Sequence, residues 1–278
     1  MCPGAKLIAS AWKCRLNSDK LFELEIPIAR KRLRNGSPSL LHAIDIVSPV
    51  HNEGASIAAT LREFHQVVMV EGGQSIRFVI CEDGSSDNSV AVLRELSATL
   101  PLHLITGPER KGYSRAVIDG FRATTSELVG FIDSDGQCDP HDFLRLLALS
   151  KPGDLIIGYR NPRSDHWIRL LFSGAFKVVY RMLFSVPARD PSCPYLLIER
   201  RGLEKILAGR VGILRQGFWW EFMARAVASG LRIVETPVKH RARASGTTQV
   251  YRPTKVPRIA VEHIVGLFRL RRELNGGS

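Results

Sequence analysis

Phe131-Ile132-Asp133-Ser134-Asp135-Gly136-Gln137 is the stretch that decides how this chain reads. The apolar run Leu128 to Ile132 has the length of a buried strand, and it delivers two carboxylates, one residue apart, into a glycine turn. Carboxylates at the carboxyl end of a strand suit a hard divalent cation that keeps open positions for phosphate oxygens. An isolated Asp-x-Asp is more often a solvated turn, so the surrounding sequence has to carry the argument.

Working outward, the chain alternates. Ala43 to Val47, Ile76 to Cys81, His103 to Thr106, Leu128 to Ile132 and Leu155 to Gly158 read as strands. Ala55 to Val70, Ser89 to Leu96, Ala116 to Thr124 and His141 to Leu149 read as the helices between them. Strand–helix alternation predicts an α/β fold, a mostly parallel sheet covered by helices on both faces. In such sheets ligands bind beyond the carboxyl ends of the strands. Two more polar clusters fall there, Ser48-Pro49-Val50-His51-Asn52-Glu53-Gly54 and Glu82-Asp83-Gly84-Ser85-Ser86-Asp87. Neither Gly-x-Gly-x-x-Gly nor Gly-x-x-x-x-Gly-Lys-Ser/Thr is present, which disfavours a dinucleotide-binding Rossmann domain and a P-loop NTPase.

Composition narrows the class. The 278 residues are 45% hydrophobic and carry a net charge of +12, which favours a polyanionic partner. No nucleic-acid motif is present, so phosphate or an anionic membrane surface is expected and nucleic acid is not. Five scattered cysteines without a Cys-x-x-Cys pair argue for a reducing compartment. No apolar run approaches the roughly 20 residues that span a bilayer.

These segments resemble, in order, the family 2 glycosyltransferases of the GT-A fold, and among them the dolichol- and polyprenol-phosphate mannose synthases. The matching pieces are Val47 to Glu53, Glu82 to Asp87, Arg110-Lys111-Gly112-Tyr113-Ser114-Arg115-Ala116 and Asp133 to Pro140. They continue with Gly158-Tyr159-Arg160, Arg169 with Ser173, Arg189-Asp190, Glu221, Glu235 to Val238 and Arg243 to Thr248. Three positions depart from the pattern: His51 stands where Tyr is usual, Glu82 where Asp is, and Cys193-Pro194-Tyr195 where Gly-Phe-Arg is.

The resemblance implies a GT-A domain over 41–250 after an extension of 1–40, with an amphipathic basic tail at 251–278. It implies that Pro49, His51, Glu53, Asp83, Lys111 and Asp133 bind a nucleotide sugar. Asp133, Asp135 and Gln137 would hold Mg²⁺ or Mn²⁺, which neutralises the nucleotide-diphosphate leaving group. Arg160, Arg169, Ser173 and Arg243 would bind the acceptor phosphate, with Asp135, Arg169 and Asp190 as the catalytic set. The implied reaction is inverting transfer of a hexose, first of all mannose from GDP-mannose and second a sugar from a UDP-sugar, to a polyprenyl phosphate on the cytoplasmic face of a membrane. A phosphate acceptor is already ionised and needs no strong base. A hydroxyl acceptor needs one, and then Asp190 or Glu221 is the candidate.

Several segments read two ways. The helix around Arg169 is either core, with that arginine snorkelling, or an acceptor surface. Trp219 and Trp220 are either aromatic core or an acceptor lip. Lys255 to Leu274 forms a broad apolar arc with Arg258, Arg269, Arg271 and Arg272, as in a helix packed on a core or lying in a membrane interface. In the interfacial case the rest of the chain folds without it. Beside the enzyme readings stands a non-catalytic nucleotide-sugar or membrane-binding module, which the intact Asp133, Asp135 and Gln137 argue against.

Overall fold

Alternation within single strands sorts the core into two layers. Ile44 and Ile46 of the first strand pack in one buried cluster and Val47 in the other; Phe78 and Val79, and Leu196 and Leu197, divide the same way. A sheet with an apolar cluster on each side is the predicted α/β architecture. The computed structural model describes residues 44–160, 176, 178–214, 217–241 and 256–276. The 1–40 extension, Arg169, Ser173 and Arg243 lie outside the described residues.

The elements follow in the order β1 (Ile44–Val50), α1 (Ile57–His65, continued by a π-helical turn, Gln66–Glu71), β2 (Ile76–Glu82), α2 (Ser89–Leu96), β3 (Leu102–Ile105), α3 (Tyr113–Arg122), β4 (Leu128–Phe131) and α4 (Pro140–Leu149). Then come β5 (Asp154–Arg160), α5 (178–184), β6 (Leu196–Glu199), α6 (Arg200–Leu207), α7 (Phe218–Ala228), β7 (Arg232–Val238) and α8 (Val256–Gly276). The sheet order is β3-β2-β1-β4-β6-β5-β7. β6 is antiparallel to both its neighbours, and the other pairings are parallel. Helices α1, α2 and α4 cover one face, while α3, α5, α6, α7 and α8 cover the other.

Two details position the site. β1 runs three residues beyond the expected Val47 and includes Pro49. Its pairing with β4 stops at Val47 while pairing with β2 continues to Val50, so a residue that lacks an N–H falls where one neighbour has already ended. α8 is part of the body: Leu267 and Leu270 are fully buried, and Glu273 pairs with Arg225 of α7 at 2.8 Å. Of the two readings of this segment, packing on the core holds for that face.

Candidate active site

The polar clusters after β1 and β2 are laced together. Asn52, in the left-handed region at φ 55°, accepts from the Ser86 N–H at 2.8 Å and donates its own N–H to Ser85 Oγ at 3.0 Å. The Gly54 N–H donates to Asp87 at 3.0 Å, the Glu53 N–H donates to Ser89 Oγ at 3.0 Å, and the Glu82 carboxylate accepts from the Ser85 N–H. Slight burial pushes Asp87 upward, but bonds from Ser89 and Gly54 win and hold its carboxyl below the usual range. The Glu53 carboxylate accepts from Ser56 Oγ at 2.9 Å, and Pro49 is buried within β1.

Asp83 anchors a third loop. Its carboxylate accepts from the Lys111 N–H at 2.6 Å and the Gly112 N–H at 3.0 Å. Gly84, at φ 65°, is what lets that loop approach, because a Cβ there would lie 2.7 Å from the Arg110 nitrogen. The Asp83 carbonyl accepts from His51 Nδ1 at 3.0 Å; a carbonyl only accepts, so Nδ1 carries the proton. The Lys111 ammonium pairs with Asp119 at 3.1 Å. His51, Asp83 and Lys111, separated in sequence, are therefore neighbours.

The Asp133 and Asp135 carboxylates leave β4 beside this cluster. Asp133 accepts at 2.9 Å from the hydroxyl of Tyr113, the first residue of α3, and that hydroxyl accepts from Trp219 Nε1 at 2.9 Å. Tyr113 is 41% exposed as a residue, but desolvation of its hydroxyl, then the charge of Asp133, hold it well above the ordinary phenol pKa. Asp135 is buried and accepts from the Gln137 N–H at 3.1 Å. The side-chain amide of Gln137 donates to the Arg241 carbonyl at 3.0 Å, and the Gln137 main-chain carbonyl accepts from the Arg241 N–H at 2.9 Å. The Asp133–Gln137 turn is thus sewn to the chain beyond β7, two residues before Arg243.

On the other side of the sheet centre, Arg160 and Asp190 meet. The Arg160 guanidinium grips Asp190 with two bonds, 2.7 and 3.0 Å, and reaches Ser192 Oγ at 3.1 Å, which itself donates to Asp190 at 3.0 Å. The residue expected to bind acceptor phosphate and the candidate base for a hydroxyl acceptor therefore hold each other. Next to them Arg189 lies over the Tyr159 ring at 5.0 Å and, with Arg181 and Glu235, lines a cleft of about 320 Å³. Glu221 sits elsewhere. It is fully buried and accepts from the Gly212 and Leu214 N–H groups and from Arg225, which commits it to structure rather than to proton removal.

The donor set at β4 fits a hard cation. Among the described residues no three His, Cys, Asp or Glu side chains form a metal cage. Two adjacent carboxylates match Mg²⁺ or Mn²⁺ bound chiefly through the phosphates of its substrate. Sequence reading missed Tyr113 and Trp219 as members of this site, because their meeting with Asp133 crosses three separate segments.

Comparison with known proteins agrees with this architecture. The model of the family "Glycosyl transferase family 2" matches residues 45–185. An uncharacterized glycosyltransferase of Mycobacterium tuberculosis is 30% identical over 212 residues, covering 75% of this chain and 89% of its own. A polyprenol monophosphomannose synthase of Mycolicibacterium smegmatis is 27% identical over 217 residues, covering 74% and 80%. Among solved structures, glucosyl-3-phosphoglycerate synthase of Mycobacterium tuberculosis, in complex with Mn²⁺, UDP and glucosyl-3-phosphoglycerate, superposes with a TM-score of 0.54 at 16% identity over 82% of this chain and 80% of that one. A family match across half the sequence, a 30% relative across most of it and a shared sheet architecture make this chain a GT-A-fold glycosyltransferase of family 2.

Proposed function

We propose that the protein transfers a hexose from a nucleotide-diphosphate sugar to a polyprenyl phosphate, with mannose from GDP-mannose as the donor tested first. The observation that carries the donor half is the Asp133/Asp135 pair at the end of β4, set against the Tyr113 and Asp83 clusters. The M. smegmatis relative supports the lipid-phosphate half and the choice of mannose. In the reaction an oxygen of the acceptor phosphate attacks the anomeric carbon from the face opposite the leaving group. The bond to the nucleotide diphosphate breaks, and the configuration inverts. Asp133 and Asp135 would hold a divalent cation, which would supply charge neutralisation for the departing diphosphate. The phosphate monoester is already ionised, so no residue has to take a proton from it. That suits a chain whose candidate base, Asp190, is held by Arg160 on both oxygens.

The test is transfer from a panel of labelled GDP- and UDP-sugars to polyprenyl phosphate with added Mn²⁺, counting lipid-linked product. Arg169→Lys or Arg243→Lys is expected to raise the acceptor KM about tenfold, since lysine meets a phosphate as a point charge rather than a fork. Donor binding is expected to stay within a factor of about two. Transfer to a saccharide hydroxyl with none to lipid phosphate rejects the reading. Asp190→Asn is a poor discriminator, because it strands the half-buried Arg160 under either acceptor chemistry.

A lipid acceptor brings the protein to a membrane, and the structure offers a face for it. Among the described residues no helix is long and apolar enough to cross a bilayer. Exposed apolar side chains nonetheless gather on α5 and α8: Val178 and Met182 (79% exposed), Ile264, Val265 and Phe268 (57%). The two helices meet where Phe176, two residues before α5, packs on His263, with rings 5.6 Å apart. Arg181, Arg269, Arg271 and Arg272 are exposed around them. Pairing this face with a second copy would oppose arginine to arginine, whereas anionic lipid complements it. Met182→Glu with Phe268→Glu is expected to weaken binding to phosphatidylglycerol vesicles at least about tenfold, the scale of one lost apolar insertion. Transfer to a detergent-dispersed acceptor is expected to persist. Undiminished vesicle binding would move the contact elsewhere.

A further inference from the structure

The geometry points to Tyr113 as the residue that positions Asp133, driven from behind by Trp219. The inference rests on the reading that Asp133 faces the donor diphosphate. Its starting point is the loop 110–112. That loop is clamped to the end of β2 by the Asp83 carboxylate, so Tyr113 leaves a fixed base at the head of α3. From there its hydroxyl spans to the end of β4 and meets Asp133 at 2.9 Å.

The direction of this chain of bonds is set by chemistry. An indole N–H only donates, so Trp219 Nε1 must give its proton to the Tyr113 oxygen. The phenol has a single proton of its own, and the remaining partner is a carboxylate. Trp219 therefore makes Tyr113 a donor, and Tyr113 makes one oxygen of Asp133 an acceptor with a fixed orientation. The indole itself is held by packing. Its ring lies 4.5 Å from that of Phe131, the last residue of β4, and against Phe121, Phe218 and Phe222. The carboxylate leading the Asp-x-Asp turn is thus held through α3 by α7, an element that contributes no carboxylate to the cation site. Tyr113→Phe keeps the ring and leaves Asp133 without this donor.

The test is calorimetric titration of GDP and of UDP, each with and without Mn²⁺, on the wild-type protein and on Tyr113→Phe, Asp133→Asn, Trp219→Phe and the Tyr113→Phe/Trp219→Phe pair. Tyr113→Phe is expected to weaken Mn²⁺-dependent nucleotide binding about tenfold, the scale of a hydrogen bond to a charged group. The metal-independent binding and the melting temperature are expected to stay near wild type, which a merely structural tyrosine would not allow. Trp219→Phe added to Tyr113→Phe is expected to weaken Mn²⁺-dependent binding no further, because the two act in series. If Asp133→Asn binds Mn²⁺ and nucleotide like wild type, the reading of Asp133 itself is wrong. If Asp133→Asn loses that binding while Tyr113→Phe keeps it or tightens it, the positioning role is overturned and the donor reading stands. Additive losses in the double variant would remove Trp219 from the chain, and Tyr113→Phe alone decides the matter if the tryptophan variant does not fold.

Discussion

Asp135→Asn is expected to lower sugar transfer at least about a hundredfold while leaving the melting curve almost unmoved, the scale of losing one charge from a preorganised electrostatic site. The substitution is nearly isosteric. Asp135 is only 7% exposed and accepts the Gln137 N–H at 3.1 Å, a bond that an asparagine oxygen takes over. The turn therefore survives, and the negative charge does not. That charge is one of two at the end of β4, where the proposed nucleotide-diphosphate leaving group would accumulate its own. The loss is read as turnover at saturating Mn²⁺, alongside thermal denaturation followed by circular dichroism. Unchanged turnover sinks the cation role, and a collapse in melting temperature would mean that Asp135 is structural.

The central half of the sheet was legible because parallel strands buried on both faces read as short apolar runs, and each run here ends in a polar cluster. Val47 to Glu53, Glu82 to Asp87 and Asp133 to Gln137 could be placed at one end of one sheet without coordinates. The remainder was hidden by long-range pairing. β6 is four residues long, and only its antiparallel seat between β4 and β5 makes it a strand. Arg160 and Asp190 were assigned opposite duties, acceptor binding and proton removal, because nothing in a linear pattern shows that a guanidinium and a carboxylate 30 residues apart share two hydrogen bonds. Glu221 reads as a spare acid until its burial beneath two backbone N–H groups and Arg225 is seen. Tyr113 was quoted within a motif but had no role, since its partners lie 20 and 106 residues away.

Removing residues 255–278 is expected to cost the protein its fold, the opposite of what an independent membrane tail predicts. α8 lays Leu267 and Leu270 into the cluster that includes Phe218, Phe222 and Leu214, and neither leucine is exposed. Emptying a buried leucine site costs about 2–5 kcal/mol, so the two together approach the 5–15 kcal/mol by which a domain is stable at all. The truncation also takes Glu273 from Arg225, whose side chain is 5% exposed and would be left with Glu221 as its remaining carboxylate partner. Gly266 shows how closely the helix seats: a Cβ there would lie 2.5 Å from Leu214. The truncated chain is therefore expected to aggregate or to melt far below the full-length protein. For that reason vesicle release by truncation says nothing about lipid contact, whereas glutamates at Met182 and Phe268 leave the buried face intact. A truncated protein that melts within a few degrees of wild type and releases from vesicles would return α8 to the role of a detachable anchor.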